Sequence, residues 1–361
     1  MSRADAISRA REHFQSGDFL KILDRRVGYR TESQQINSGA ALRAYLADEL
    51  VPAFAELGFT TRLIESPSGN GPYLLADYCE DASLPTVLTY GHGDVVDGMA
   101  GEWRDNLDPW RTTIKGERVY GRGTADNKGQ HSINMSALSM VREARGGKLG
   151  FNAKFLVETG EEIGSPDLRK ICEELREELK ADLFLASDGP RLSAERPTIF
   201  LGCRGGLRIH LDVRLRDGGH HSGNWGGVLA NAATVLSNAI ACLVNEKGQM
   251  QFEALKPPRI SNAIRSVLAD VKVEPTADEP QLSPNWGEEG LSAAERLYAW
   301  NTLEVLAMSS GNIASPANAR PAAAPILRTE GIVTLYKHGR TSFCAPMSAR
   351  RRKRRAPEPH Y

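Results

Sequence analysis

The chain has 361 residues, 41% hydrophobic and 25% charged, enough to bury a core and to divide into two domains; disorder of the whole chain is excluded. No apolar run approaches the roughly 20 residues of a membrane span, and Met1 to Gln15 is charged where a signal peptide is apolar, so a cytoplasmic protein with no membrane contact is expected. The formal net charge of zero hides an asymmetry: from Ala319 onward ten Lys and Arg face two acids, whereas the first 318 residues carry 35 bases against 43 acids. Such an acidic body concentrates cations and gives no reason to expect nucleic acid as a partner.

In chain order, residues 38 to 57 carry a helical apolar period, Thr86 to Tyr90 is a short β-rich run, and Lys128 to Ala144 is helical. Phe151 to Val157 is a strand, Pro166 to Leu179 a charged amphipathic helix, and Asp182 to Ala186 another strand. This βαβα order predicts a doubly wound α/β domain. After Cys203 the texture changes. Leu207, Ile209, Leu211 and Val213 alternate with Arg208, His210, Asp212 and Arg214, the period of a strand with one wet face, and a helix follows from Val228 to about Leu243. A domain boundary is therefore expected near Arg204, with loop between Leu255 and Asn285. The five cysteines are scattered and odd in number, which fits reduced thiols rather than a disulfide framework or a cysteine zinc site.

In open α/β sheets ligands bind outside the carboxyl ends of strands, so the residues just after each strand are read for chemistry. Thr86 to Tyr90 runs into Gly91-His92-Gly93-Asp94, and a loop ending in Asp126-Asn127-Lys128-Gly129 precedes a helix. Phe151 to Val157 runs into Glu158-Thr159-Gly160-Glu161-Glu162, and Asp182 to Ala186 into Ser187-Asp188-Gly189. Taken singly, His-x-Asp recurs by chance, Glu161-Glu162 is a solvated pair, and Asp126 to Gly129 is a turn with a helix cap. Their joint occurrence at successive strand ends is different, because converging carboxylates repel one another unless a cation compensates them. One His with Asp and Glu suits zinc, with manganese or cobalt as alternatives. Asp94 is close enough to His92 in sequence to accept the far imidazole N–H and fix its tautomer. His131 and His210 read as ordinary helix and strand-face residues, and Trp103 and Trp110 as packing for the loop between motifs.

The runs GHGDVVDG, YGRGTADNKGQ, VETGEEIGS, SDGP and HHSGNWGG resemble, in order and spacing, the co-catalytic di-zinc metallopeptidase and amidohydrolase family of carnosine dipeptidase, glutamate carboxypeptidase, aminoacylase and acetylornithine deacetylase. The resemblance implies that His92, Asp126 and Asp188 hold one metal, that Asp126 bridges to a second also held by Glu162, and that two zinc ions bind per subunit. It implies Glu161 as general base, Asp94 as the carboxylate orienting His92, and His221 as a lid histidine reaching the partner subunit's site. A cis peptide at Asp126-Asn127 is implied as well.

The implied architecture is an α/β doubly wound catalytic domain over residues 1–204 and a smaller α+β lid or dimerisation domain over 205–318, both incomplete at the C-terminal side. Residues 319–361, rich in Arg, Ala and Pro, are expected to be an aberrant, disordered basic tail, the native C-terminal part being missing or frame-altered. The family's remaining metal-ligand histidine has no match; His338 and His360 are the only late histidines and lack the family's surroundings. The expected function is metal-dependent hydrolysis of peptide or amide bonds of the dipeptidase or carboxypeptidase type, on short peptides, by a homodimer formed through the lid. The alternatives are an N-acyl amino acid deacylase or a catalytically impaired metal-binding fragment.

Overall fold

The computed structural model describes residues 3–189, 198–200, 205–216, 220–275, 280–310 and the backbone of 329–337. The chain divides into two units, Met1–Pro190 and Arg191–Tyr361, each described by itself. The division falls earlier than the boundary expected near Arg204.

The first unit opens with helices α1 (Arg3–Gln15) and α2 (Asp18–Val27). Helix α3 (Gly39–Ala44) then continues through a π-helical turn, Tyr45–Leu50, into α4 (Val51–Glu56), which together make the helix expected over 38–57. Strands β1 (Thr60–Ile64), β2 (Tyr73–Tyr78) and β3 (Thr86–His92) follow, then a small hairpin of β4 (Thr113–Lys115) and β5 (Arg118–Tyr120). Helix α5 (Lys128–Ala144), strand β6 (Asn152–Glu158), helix α6 (Leu168–Glu174) and strand β7 (Leu183–Ala186) complete the unit.

The five-stranded sheet has the order β1-β2-β6-β3-β7. Strands β6, β3 and β7 are parallel, and β2 joins β6, and β1 joins β2, antiparallel. Side chains alternate between faces with period two. Leu74, Ala76, Ala153, Phe155 and Val157 face one layer with Tyr45, Leu50, Phe54 and Met135, while Tyr73, Leu75 and Leu156 face Ile171 and Leu175 of the α6 side. The ring of Phe155 lies 5.0 Å from that of Phe54, and truncating so buried an aromatic costs about 3–5 kcal/mol. A buried ion pair adds a polar tie: Glu49 accepts from Arg26 Nε at 3.0 Å and from Arg25 Nε at 2.6 Å. Strand β7 is the sheet's edge, and Leu183, Phe184 and Leu185 are all exposed there.

The second unit contains a three-stranded antiparallel sheet of order β8-β10-β9, made of β8 (Gly205–Val213), β9 (Thr302–Ser310) and β10 (Thr329–Lys337). Helix α7 (Ser222–Trp225) is short, and α8 (Ala232–Ala241), started by the Asn231 side chain accepting from Thr234 N, lies beside β8 and β10. Helices α9 (Asn262–Leu268) and α10 (Ala293–Tyr298) begin at Ser261 and Ser292, the latter in a reciprocal box with Glu295.

One expectation is corrected here and another is narrowed, since most of the 319–361 tail lies outside the described residues. The stretch expected as loop from 255 to 285 holds α9, whose serine cap accepts from Ile264 N despite the surrounding prolines. Within the tail expected to be disordered, residues 329–337 form β10, the central strand of its sheet; Ile332-Val333-Thr334-Leu335-Tyr336 is rich in β-branched and aromatic residues, a strand preference hidden by basic neighbours. Among the described residues no helix is long and apolar enough to cross a membrane. Cys79, Cys172 and Cys242 are free thiols.

Candidate metal centre

Parallel strands β6, β3 and β7 end at one edge of the sheet, with His92 opposite Glu158 and Tyr90 opposite Ala186. The segments leaving those ends, together with the turn before α5, therefore converge. His92 is the pivot: its Nε2, Asp126 and Asp188 offer ligand atoms all within 4.8 Å of one another, and so do His92, Glu161 and Glu162.

Each side chain is held by a traceable contact. His92 Nδ1 lies 3.0 Å from the Asp94 carbonyl and 3.2 Å from Asp94 Oδ1, so it carries a proton and donates. On the other side Nε2 lies 2.8 Å from Asp126 Oδ1 and 3.8 Å from Asp188 Oδ1. Burial opposes charging the ring, but hydrogen bonds to Asp126, Asp188 and Asp94 outweigh it and push its pKa up to about 12. A proton on Nε2 thus occupies a place suited to a metal cation.

Asp94, fully buried, also accepts from Glu161 N at 3.2 Å and Glu162 N at 3.0 Å, which clamps the acidic pair to the end of β3. Burial first, then Asp126, push the Glu162 carboxyl up to about 7, and burial likewise raises that of Glu161. Asp126, with 65% of its side chain accessible, sits below the usual carboxylate range because of its hydrogen bond to His92. The Asp126-Asn127 peptide is cis.

Asn127 is the hub that the sequence reading missed. Its Nδ2 donates to Ser187 O at 2.6 Å and Asp188 Oδ1 at 3.1 Å, while its Oδ1 lies 3.3 Å from both His92 N and His131 Nδ1. His131 is more than an ordinary helix residue, since Tyr45 O–H donates to its Nε2 at 2.6 Å and so directs its Nδ1–H to Asn127. The adjacent Lys128, fully buried, donates to Tyr29 O at 2.6 Å and Arg26 O at 3.1 Å and lies over the Tyr45 ring; burial brings its pKa down to about 7. Gly129 has no room for a side chain, because a Cβ would fall 1.8 Å from the Thr124 carbonyl oxygen. Asn127 and Lys128 adjoin Asp126 in the quoted motif, which is the signal that could have flagged them.

Six of the seven predicted site residues, His92, Asp94, Asp126, Glu161, Glu162 and Asp188, are thus brought together in the first unit. His221 belongs to the second, where it is exposed and its Nδ1 accepts from Gly223 N at 3.0 Å. Trp103 and Trp110 do pack the intervening loop: Trp103 Nε1 donates to Gly98 O, and Trp110 covers Gly98. His338 and His360 lie outside the described residues.

The signature of peptidase family M20/M25/M40 matches residues 88–319, a span that takes in all of these strand ends. The chain belongs to this family. It is 35% identical over 173 residues to a cysteinylglycine-S-conjugate dipeptidase of Corynebacterium striatum, covering 47% of this chain and 37% of that protein. It is 34% identical over 182 residues to a human Beta-Ala-His dipeptidase, covering 50% and 35%. The match thus spans little more than a third of each of these relatives. Among solved structures the fold is similar to human carnosine dipeptidase 1, with a TM-score of 0.74 at 21% identity over 92% of this chain and 72% of that one. It is also similar to the M20 family metallo-carboxypeptidase Sso-CP2 of Sulfolobus solfataricus, with a TM-score of 0.70 at 23% identity over 88% and 71%. The donor set fits a divalent cation, in keeping with the family: four carboxylates, of Asp126, Asp188, Glu161 and Glu162, gather around the buried His92 ring, whose Nε2 faces Asp126 and Asp188.

Proposed function

We propose that the protein is a metal-dependent dipeptidase, with His92, Asp126, Asp188 and Glu162 as the metal ligands and zinc as the metal. The observation that carries this reading is the pair of overlapping ligand groups sharing His92 at the strand ends. The dipeptidase names of its relatives favour short peptides over N-acyl amino acids. A cation bound there supplies Lewis-acid polarisation of the scissile carbonyl and of the attacking water. Asp94 holds His92 in one tautomer and fixes the amides of Glu161 and Glu162. Glu161, with its carboxyl pKa raised by burial, accepts the proton of the attacking water and passes it to the leaving amine nitrogen. His221, whose Nδ1 is engaged as an acceptor, keeps its proton on Nε2 and donates to the developing oxyanion of a partner subunit's substrate. The proposal includes a cytoplasmic homodimer formed through the second unit, where β8 and β9 are the outer strands of their sheet among the described residues.

The experiment measures zinc content and sets a dipeptide panel beside an acetyl-amino-acid panel. Dipeptide hydrolysis abolished by a chelator and restored by zinc is expected. Chelator-insensitive turnover, or preference for acetyl substrates, refutes it. For the dimer, mixing His221→Ala with Glu161→Gln restores activity through hybrids; no recovery after subunit exchange excludes a role in trans.

A further inference from the structure

Strand β6 ends at Glu158, directly opposite His92 in the sheet register, and the Glu158 side chain is completely buried. It has no part in the hydrolysis described above. Its Oε1 accepts two hydrogen bonds, from Tyr90 O–H at 2.5 Å and from Ser165 Oγ at 2.8 Å, while Oε2 is buried with no partner among the described residues. A carboxylate taken out of water with one oxygen unpaired is costly to keep. Burial accordingly raises its pKa.

The two donors come from opposite sides of the site. Tyr90 lies on β3, two residues before His92. Ser165 closes the loop that leaves β6, and this loop carries Glu161 and Glu162. Ser165 has φ +48°, following Gly164 at φ +89°, and a non-glycine residue seldom adopts that left-handed region unless something holds it there. Here the holding contacts are Ser165 N to Gly160 O at 2.8 Å and Ser165 Oγ to Glu158. Thr159 adds a further tie, donating to Pro72 O at 2.7 Å. The loop is thus fastened at both ends, while Asp94 grips its middle through the amides of Glu161 and Glu162.

We propose that Glu158 is a positioning residue: through Ser165 and Tyr90 it staples the 159–165 loop to the strand carrying His92, and so sets Glu161 and Glu162 against His92 for a divalent cation. The inference rests on the metal-site reading above. It differs from a general structural role in being local, because loosening the staple frees the acidic pair without touching the α5 side, where Asn127 holds Asp188.

The test uses the full chain with Ser165→Ala, Tyr90→Phe, Glu158→Gln and Glu158→Ala. Two quantities are read: amide hydrogen exchange in the metal-free chain, and zinc affinity by chelator competition. In Ser165→Ala, exchange of the 159–165 amides rises about threefold to tenfold, the loss of one hydrogen bond, while α5 amides are unchanged. Zinc affinity falls about 10- to 100-fold, as for other groups that orient ligands. Glu158→Gln, whose carboxamide oxygen can accept both bonds, retains more zinc affinity than Glu158→Ala. Unchanged loop exchange in Ser165→Ala and Tyr90→Phe overturns the proposal, and so does a rise shared equally by α5. Ser165→Ala keeps the test decisive if the Glu158 variants do not fold. Should the unsubstituted chain take up no zinc, the metal reading fails, and the exchange data alone decide the staple.

Discussion

Replacing Asp94 by Asn removes one charge and one acceptor from the best-connected buried carboxylate of the site. Asp94 Oδ1 receives His92 Nδ1 and Glu161 N, and Oδ2 receives Glu162 N. A carboxamide oxygen placed at Oδ1 keeps the first two, but its NH2 then faces the Glu162 N–H, donor against donor. Flipping the amide saves that contact and loses the other two. An orphaned buried donor costs about 1–3 kcal/mol, and the retained bonds lose their charge assistance, about 1 kcal/mol between them. The sum, about 3 kcal/mol, corresponds to roughly 100-fold in zinc affinity at tenfold per 1.4 kcal/mol. Some orientation of His92 survives through the Asp94 carbonyl at 3.0 Å, so binding weakens rather than vanishes. Chelator competition with zinc, read beside thermal unfolding, checks this. An Asp94→Asn chain that binds zinc as tightly as the unsubstituted one would refute the clamp as the source of ligand order.

Glu161→Gln keeps zinc while losing most turnover, whereas Glu162→Gln also loses zinc; metal analysis and dipeptide assays on both separate the roles, and equal zinc loss contradicts them. With the Glu162 pKa raised to about 7 from its usual 4.5, the stability it confers on the metal-free chain is present below 4.5 and lost as pH rises through about 7. Zinc must displace that proton below about pH 7, so the thermal shift on adding zinc grows between about pH 6 and pH 8; a flat or falling shift counts against Glu162 as a ligand. Glu49→Gln lowers stability by about 3 kcal/mol or more, because the buried Arg26 loses its counter-charge. Burial alone would raise the Glu49 pKa, but Arg25 and Arg26 hold it below 4.5, so this contribution is present above 4.5 and lost in acid; urea titrations of both proteins across pH check it.

The strand-end chemistry was legible because it is written in short contiguous runs: His92-x-Asp94, Asp126 to Gly129, Glu161-Glu162 and Ser187-Asp188 each sit where a parallel strand stops or α5 starts. The supporting groups were not. Asn127 meets Ser187 sixty residues away, and no local pattern announces that distance. Helix α1 buries none of its residues and its apolar stripe is thin, Ile7, Ala10 and Phe14 among charges, while β2 is buried on both faces over Tyr73 to Ala76, so it shows no alternation. Strand β10 was hidden for a different reason: its own residues favour a strand, but composition taken over the whole basic segment averages that preference away.

The exposed edge strand β7 has a kinetic consequence. Four residues long and, among the described residues, paired only to β3, with Leu183, Phe184 and Leu185 half in water, it has little there to hold it beyond its ladder. Segments of that kind open locally well before the rest of a domain. Asp188 lies just past its end, tied back by Asn127. On the metal-site reading proposed above, fraying of β7 offers a cation its exit route, with Asp188 the first proposed ligand to let go, and a bound cation in turn suppresses the fraying by mass action. On the same reading, metal release is expected to follow the opening motion at the sheet's margin, so that protection of the β7 amides and the lifetime of the bound cation change together.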